Sequence, residues 1–152
     1  MIRINVVAVG KLKDKFYREA ADEYLKRLKR FASVTETECT EYPDSPNSLA
    51  AERESKEIMT KLKGHVVLLD VGGEEMSSER FSEYLERLAA SGKSEVTFVI
   101  GGSRGVSADV KKAADIRLGF GKMTFPHALA RVMLLEQIYR AFAIMSGIPY
   151  HK

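Results

Sequence analysis

Three stretches constrain the fold more than anything else in this chain: Ile2 to Val9, His65 to Val71 and Val96 to Ile100. Each is a run of strand length rich in β-branched and apolar residues, and each closes on glycine: Gly10, Gly72-Gly73 and the turn Gly101-Gly102-Ser103-Arg104-Gly105. A strand apolar at successive positions has no solvent face and must be covered on both sides, which is the habit of parallel sheets. Between these runs lie helical patterns. Phe16, Ala20, Ala21, Tyr24, Leu25 and Leu28 repeat at the 3.6-residue period up to Phe31, and Phe81, Leu85 and Leu88 do so in a helix capped by Ser77 or Ser78 and running to about Ala90. Strand alternating with helix predicts an α/β fold, a mostly parallel sheet covered by helices on both faces.

The remaining elements are less sharply written. Val34 to Tyr42 reads as a half-exposed strand stopped by Pro43, and Asn47 or Ser48 as the N-cap of a charged helix ending near Gly64. A short helix is expected from about Ser107 to Ala114, a weak strand at Ile116 to Leu118, and a last helix from His127 to Met145. That last helix is apolar nearly all round, so it is either a central core helix or part of a subunit interface. At 152 residues, 45% hydrophobic and 30% charged, with no repeat or linker, the chain is expected to form one domain over residues 1–152.

Composition narrows the function classes. Cys39 is the one cysteine, so no internal disulfide can form and a reducing compartment is expected. The start MIRINVVAVG lacks the pattern of a signal peptide, and the best apolar stretch, Ala128 to Met145, contains Arg131, Glu136 and Arg140. A cytoplasmic protein with no membrane partner is the expectation. No His, Cys and carboxylate cluster has ligand spacing, so no metal is expected. The net charge of +3, from 24 basic and 21 acidic residues, is compatible with nucleic acid but decides nothing alone.

The turn at 101–105 matches G-x-S-x-G, which in a hydrolase would make Ser103 the nucleophile, with Asp109 or Asp115 orienting and His127 or His151 as base. That fold needs more strands than this chain offers. Dinucleotide and P-loop fingerprints fail because Ile100, Ile116 and Met123 stand where they require glycine or a hydroxyl residue. The loop GFGKMTFPH is a second glycine-bearing turn after a strand, and two such turns joined by a short βαβ unit favour a ligand crevice. The ending Pro149-Tyr150-His151-Lys152 is either a frayed tail or a stiffened aromatic with an imidazole and an ammonium, suited to a base and a phosphate.

The segments FVIGGSRGVS and MTFPHALARVMLLEQIYRAFAIMSGIPYHK, with INVVAVGKLKD and LLDVGG, resemble the bacterial ribosomal RNA large subunit methyltransferase H family over essentially the whole chain. These are 23S rRNA pseudouridine N3-methyltransferases of the SPOUT superfamily. The resemblance implies a homodimer, a deep C-terminal trefoil knot, S-adenosyl-L-methionine as methyl donor, and the assembled ribosome as substrate. It implies cofactor contacts at Leu69, Gly101, Gly121, Lys122, Met123, Thr124, Phe125 and Pro126. Candidates for removing the N3 proton or steadying the base are His127, Arg131, Glu136, Arg140 and His151, with Arg140 suited to the developing negative charge and His151 or a phosphate oxygen to the proton. Candidates for RNA contact are Lys11, Lys13, Lys15, Arg18, Arg131, Tyr150 and Lys152.

Overall fold

The computed structural model describes residues 1–45 and 49–152. In chain order its elements are β1 (Ile2–Val9), α1 (Lys15–Leu28), β2 (Ala32–Cys39), α2 (Ala50–Met59), β3 (His65–Glu75), α3 (Ser78–Ala90), β4 (Glu95–Ile100), α4 (Ala108–Ala113), β5 (Ile116–Gly119) and α5 (His127–Met145). The five strands form one sheet in the order β2-β1-β4-β3-β5, and every neighbouring pair is parallel. The expected parallel architecture is therefore the observed one.

Two-residue alternation divides the core between the faces of the sheet. Ile4, Val6 and Ala8 of β1 join Phe98 of β4, Leu28 of α1, Phe81 and Leu85 of α3, and Leu134, Leu135 and Ile138 of α5. Val7 and Val9 point the other way, onto Ile58 of α2 and Val110 of α4. Helices thus cover both faces, three on one and two on the other. Each fully buried Leu, Val or Phe contributes ~1.5–3 kcal/mol through removal from water, so these layers outweigh any single polar contact.

Several boundaries differ from the sequence reading, each for a local reason. Strand β2 sits earlier than Val34 to Tyr42 because it is paired residue for residue with β1, from Ile2 opposite Ala32 to Val9 opposite Cys39, and β1 turns away at Gly10. Helix α1 stops at Leu28 and α2 at Met59, short of Phe31 and Gly64. Asn47 and Ser48 lie outside the described residues, and α2 begins at Ala50. Ser77, not Ser78, caps α3, its hydroxyl accepting the Arg80 N–H at 3.1 Å.

The main correction concerns β3, which does not end at Gly72-Gly73. It bulges there and continues to Glu75: Leu118 of β5 lies opposite both Leu69 and Glu74, with residues 70–73 looped out between. Glycine at 73 makes this possible, since a Cβ there would stand 2.7 Å from the backbone carbon of Arg117. Asp70 steadies the loop by accepting the Gly72 N–H at 3.1 Å.

Helix α5 is neither fully buried nor exposed. Arg131, Leu134, Leu135, Ile138, Ala141, Phe142 and Ala143 are buried, while Leu129, Val132, Met133, Glu136 and Gln137 form a half-covered face. Among the described residues no helix is long and apolar enough to cross a membrane.

Candidate functional site

Because all strands run the same way, their C-terminal ends share one rim, where α/β sheets place ligands. A cavity of about 610 Å³ opens there, walled by Leu68 to Val71 at the bulge of β3, Ile100 to Val106 after β4, and the β5–α5 loop from Phe120. Of the expected cofactor contacts, Leu69, Gly101, Gly121, Met123, Thr124, Phe125 and Pro126 line it. Lys122 is exposed and does not. His127, the first residue of α5, also faces the cavity.

The cavity has the dimensions and character of a small-molecule site: apolar side chains for walls, with main-chain groups of glycine turns and a few polar groups for orientation. The β4 turn is held from beneath by α2. The Glu54 carboxylate, 3% exposed, accepts the Tyr42 N–H at 3.0 Å through Oε2, and its Oε1 would stand 2.7 Å from a Cβ on Gly102. The next residue, Ser55, accepts the Ser107 N–H at 2.9 Å. Burial, with Glu41 and Asp44 nearby, pushes the Glu54 carboxyl above its usual value despite the Tyr42 hydrogen bond. Nothing in the charged stretch AERESKEIM marked Glu54 and Ser55 as supports for this turn.

The hydrolase arrangement is not assembled. The Ser103 hydroxyl donates to Asp44 at 3.1 Å, and Arg104 pairs with the same carboxylate. His127 lies 3.8 Å from Glu41, and Asp115 accepts the Val66 N–H at 2.8 Å. His151 is in a different cluster altogether.

That cluster sits on the half-covered face of α5. Arg140 meets Glu136 with Nη2 2.7 Å from Oε2, and its Nη1 donates to Nδ1 of His151 at 3.0 Å. The opposite nitrogen, Nε2, pairs with Glu79 of α3, whose carboxyl is held below the usual range mainly by that contact. Since Nδ1 accepts, Nε2 is the nitrogen that carries the neutral ring's proton. Tyr150 donates to Glu136 at 2.8 Å and lies under the Arg140 guanidinium and against Tyr139. Burial and the Glu136 bond push its phenol well above the ordinary value, so it stays protonated.

Arg140 and His151 do not line the 610 Å³ cavity. A second cavity of about 510 Å³, bounded by Met76, Phe81, Met133, Glu136 and Gln137, shares Leu118, Phe120 and Gly121 with the first as a common wall. Glu136, the partner of Arg140, lines this second cavity, so within one chain the shared wall stands between the Glu136–Arg140–His151 cluster and the first cavity, although Arg140 and His151 line neither.

The basic candidates divide. Lys11, Lys13 and Lys15 are exposed at the rim after β1, and Lys152 is exposed at the tail. Arg18 is half-buried and paired with Asp22 and Glu36, each at 2.8 Å. Arg131 corrects the sequence reading: it is 2% exposed, and its Nε and Nη1 donate to Glu36 and Glu38 at 2.8 and 2.9 Å. Its Nη2 lies 2.7 Å from Glu36 Oε2 but off the hydrogen-bonding direction. A guanidinium buried beneath two carboxylates is not available to a phosphate.

Among proteins of known sequence, residues 2–151 match the model of a family described as predicted SPOUT methyltransferases. Ribosomal RNA large subunit methyltransferase H 1 of Clostridium perfringens is 49% identical over 162 residues, covering 99% of this chain and all of its own length. Ribosomal RNA large subunit methyltransferase H of Desulfitobacterium hafniense is 49% identical over 160 residues, with both chains covered in full. The fold is also that of a probable methylase family protein from Haemophilus influenzae, with a TM-score of 0.54 at 13% identity over 99% of this chain and 70% of that one. A probable methyltransferase from Bordetella pertussis gives 0.53 at 12% identity, over 92% and 94%.

Proposed function

The chain belongs to the SPOUT methyltransferases and, among them, to the ribosomal RNA large subunit methyltransferase H family; from that membership we propose that it methylates N3 of a pseudouridine in 23S rRNA on the assembled ribosome, as a homodimer using S-adenosyl-L-methionine. The observation that carries this reading is the cavity at the strand ends, walled by the three loops to which the family's cofactor contacts correspond.

In this reading Leu69, Gly101, Gly121, Met123, Thr124, Phe125 and Pro126 hold the donor, with Lys122 at the mouth. Glycine turns let main-chain N–H and C=O groups approach a purine and a ribose without side-chain bulk. When bound, the donor supplies an electrophilic methyl carbon on a sulfonium, which is already a good leaving group. The protein's work is then alignment, exclusion of water and removal of the N3 proton.

Arg140 and His151 are suited to the last task. If Arg140 turns its Nη1 from His151 to a carbonyl oxygen of the base, it stabilises the negative charge that develops there. The same movement frees Nδ1 of His151 to take the N3 proton, and Glu79 on the far nitrogen steadies the resulting imidazolium. His127 borders the donor cavity and lies beside the entering base. Because Arg140 and His151 are walled off from the cavity within one chain, the reading needs a second subunit to bring them to it. The half-covered face of α5 along Leu129, Met133 and Gln137 is where that subunit would dock. The trefoil knot belongs to the same reading and rests on family membership alone. Lys11, Lys13, Lys15, Arg18, Tyr150 and Lys152 face the RNA, and Arg131 acts from inside by holding α5.

The test is incubation of methyl-tritiated S-adenosyl-L-methionine with ribosomes from a strain lacking this protein, followed by mapping of the labelled nucleotide. Label at N3 of a single 23S pseudouridine is the expected result. No transfer to ribosomes, or covalent labelling of Ser103 by a fluorophosphonate, would overturn the reading.

A further inference from the structure

Of seven phenylalanines and six tyrosines, Phe16 alone is exposed, at 64%. It stands in the first turn of α1, at the strand-end rim, six residues beyond Gly10, whose neighbours include Glu41 and His127 at the cavity edge. Its ring leans on that of Tyr17, centroids 4.4 Å apart, which narrows its motion while leaving a face to solvent. The surrounding charge is net positive, with Lys11, Lys13 and Lys15 outnumbering Asp14 and Glu19. Lys11 and Lys13 are exposed without an ion pair among the described residues, and Lys15 has only Glu19 at 3.6 Å.

The local electrostatics only partly favour the helix. The first turn of α1 carries no acidic residue and the N-cap Asp14 makes no side-chain capping bond, so Lys15 stands at the positive end of the dipole with only the Asp14 charge beside it to offset the cost. An arrangement that costs the isolated chain stability is expected where a ligand relieves it. A polyanion would, and an exposed aromatic face among cations adds a preference for a polyanion with flat, unstacked rings: single-stranded RNA.

We infer that Phe16 is a stacking platform for an unpaired base of the RNA substrate, with Lys11, Lys13 and Lys15 holding the flanking phosphates. The inference rests on the reading of this chain as a ribosomal RNA methyltransferase. Stacking needs an aromatic face, whereas a contact with protein needs only apolar bulk, and this difference sets the experiment. Phe16→Ala, Phe16→Leu, Phe16→Tyr and Phe16→Trp are compared for methylation of ribosomes lacking the modification, for S-adenosylhomocysteine affinity, and for subunit association by sedimentation. The expected result is a rise in KM for ribosomes of about tenfold in Phe16→Ala and Phe16→Leu, with single-turnover rate at saturation, S-adenosylhomocysteine affinity and sedimentation unchanged, and near-normal KM in the two aromatic variants. An unchanged KM in Phe16→Ala, full function in Phe16→Leu, or altered subunit association would each overturn it while wild-type methylation still stands. Failure of the wild-type chain to methylate ribosomes would instead remove the functional reading beneath it.

Discussion

Arg131 of α5 donates through Nε to Glu36 of β2 at 2.8 Å, tying the last helix to the outermost strand across a buried contact. Glu38, two residues along the same strand and so on the same face, takes a second guanidinium nitrogen. The helix so held begins directly after the loop that walls the cavity. Arg131→Met leaves half-buried Glu36, which keeps Arg18 at 2.8 Å, and exposed Glu38 without this partner, and is expected to cost about 1–2 kcal/mol through the lost charge-assisted hydrogen bonds. Urea unfolding would read that loss, and S-adenosylhomocysteine affinity should weaken with it. The salt dependence of ribosome binding should not change, because this charge does not meet phosphate.

Gly102→Ala tests the support beneath the β4 turn. The new Cβ would stand 2.7 Å from Glu54 Oε1. That oxygen ends a side chain, but one that is 3% exposed and anchored to Tyr42, so the turn must shift instead. Calorimetry should show S-adenosylhomocysteine binding weakened by about tenfold, ~1.4 kcal/mol. Partial recovery is expected in the double variant with Glu54→Ala, because the two changes meet at one point of close approach.

Subunit complementation tests the composite site. His151→Ala and Arg140→Ala should each reduce single-turnover methylation while leaving S-adenosylhomocysteine binding intact. A Gly101 variant deficient in donor binding should also be inactive alone. Mixed dimers of that variant with His151→Ala should regain activity, since one of their two sites pairs an intact cavity with an intact tail. Absence of recovery in verified mixed dimers would contradict the exchange of residues between subunits.

Ribosome affinity should fall as salt rises, through release of counterions from the RNA. Replacing Lys11, Lys13 or Lys15 by alanine should lower the slope of log affinity against log salt by about 1 for each phosphate that is no longer neutralised. Filter binding at a series of potassium concentrations measures it.

His65 gives stability a pH dependence. Burial holds its imidazole below the ordinary value of 6.5, the larger effect, and Asp115 opposes this from 3.6 Å. The unfolded chain therefore binds more protons than the folded one as pH falls below 6.5. Stability is fully present above that value and declines with acidification toward the folded pKa. His65→Gln should flatten this part of the curve when urea midpoints are compared across mildly acidic and neutral pH.

The strands rich in β-branched residues announced their own burial, and the parallel sheet followed because strands covered on both faces and alternating with helices are the habit of parallel sheets. The two glycine loops were legible as crevice walls for a similar reason: glycine after a buried strand is a local backbone requirement. The bulge in β3 was not legible, because Gly72-Gly73 reads as a terminus until β5 is present to pair on both sides of it. Arg131 was misplaced for a related reason. Its position on the helix gave its direction, but only the packing of α5 over β2 brought Glu36 and Glu38 beneath it, ninety-five and ninety-three residues away in the chain.

Periodicity, turn chemistry and family likeness, all carried by residues near one another in sequence, determined the layered α/β fold, the helix α5 and the loops that form the cavity. Tertiary structure alone decided which charges are paired internally and which stay exposed, and that Arg140 and His151 do not line the cavity they are expected to serve. Local sequence fixes what a segment can bury; the partner of a charge depends on what the folded chain carries to it from far away.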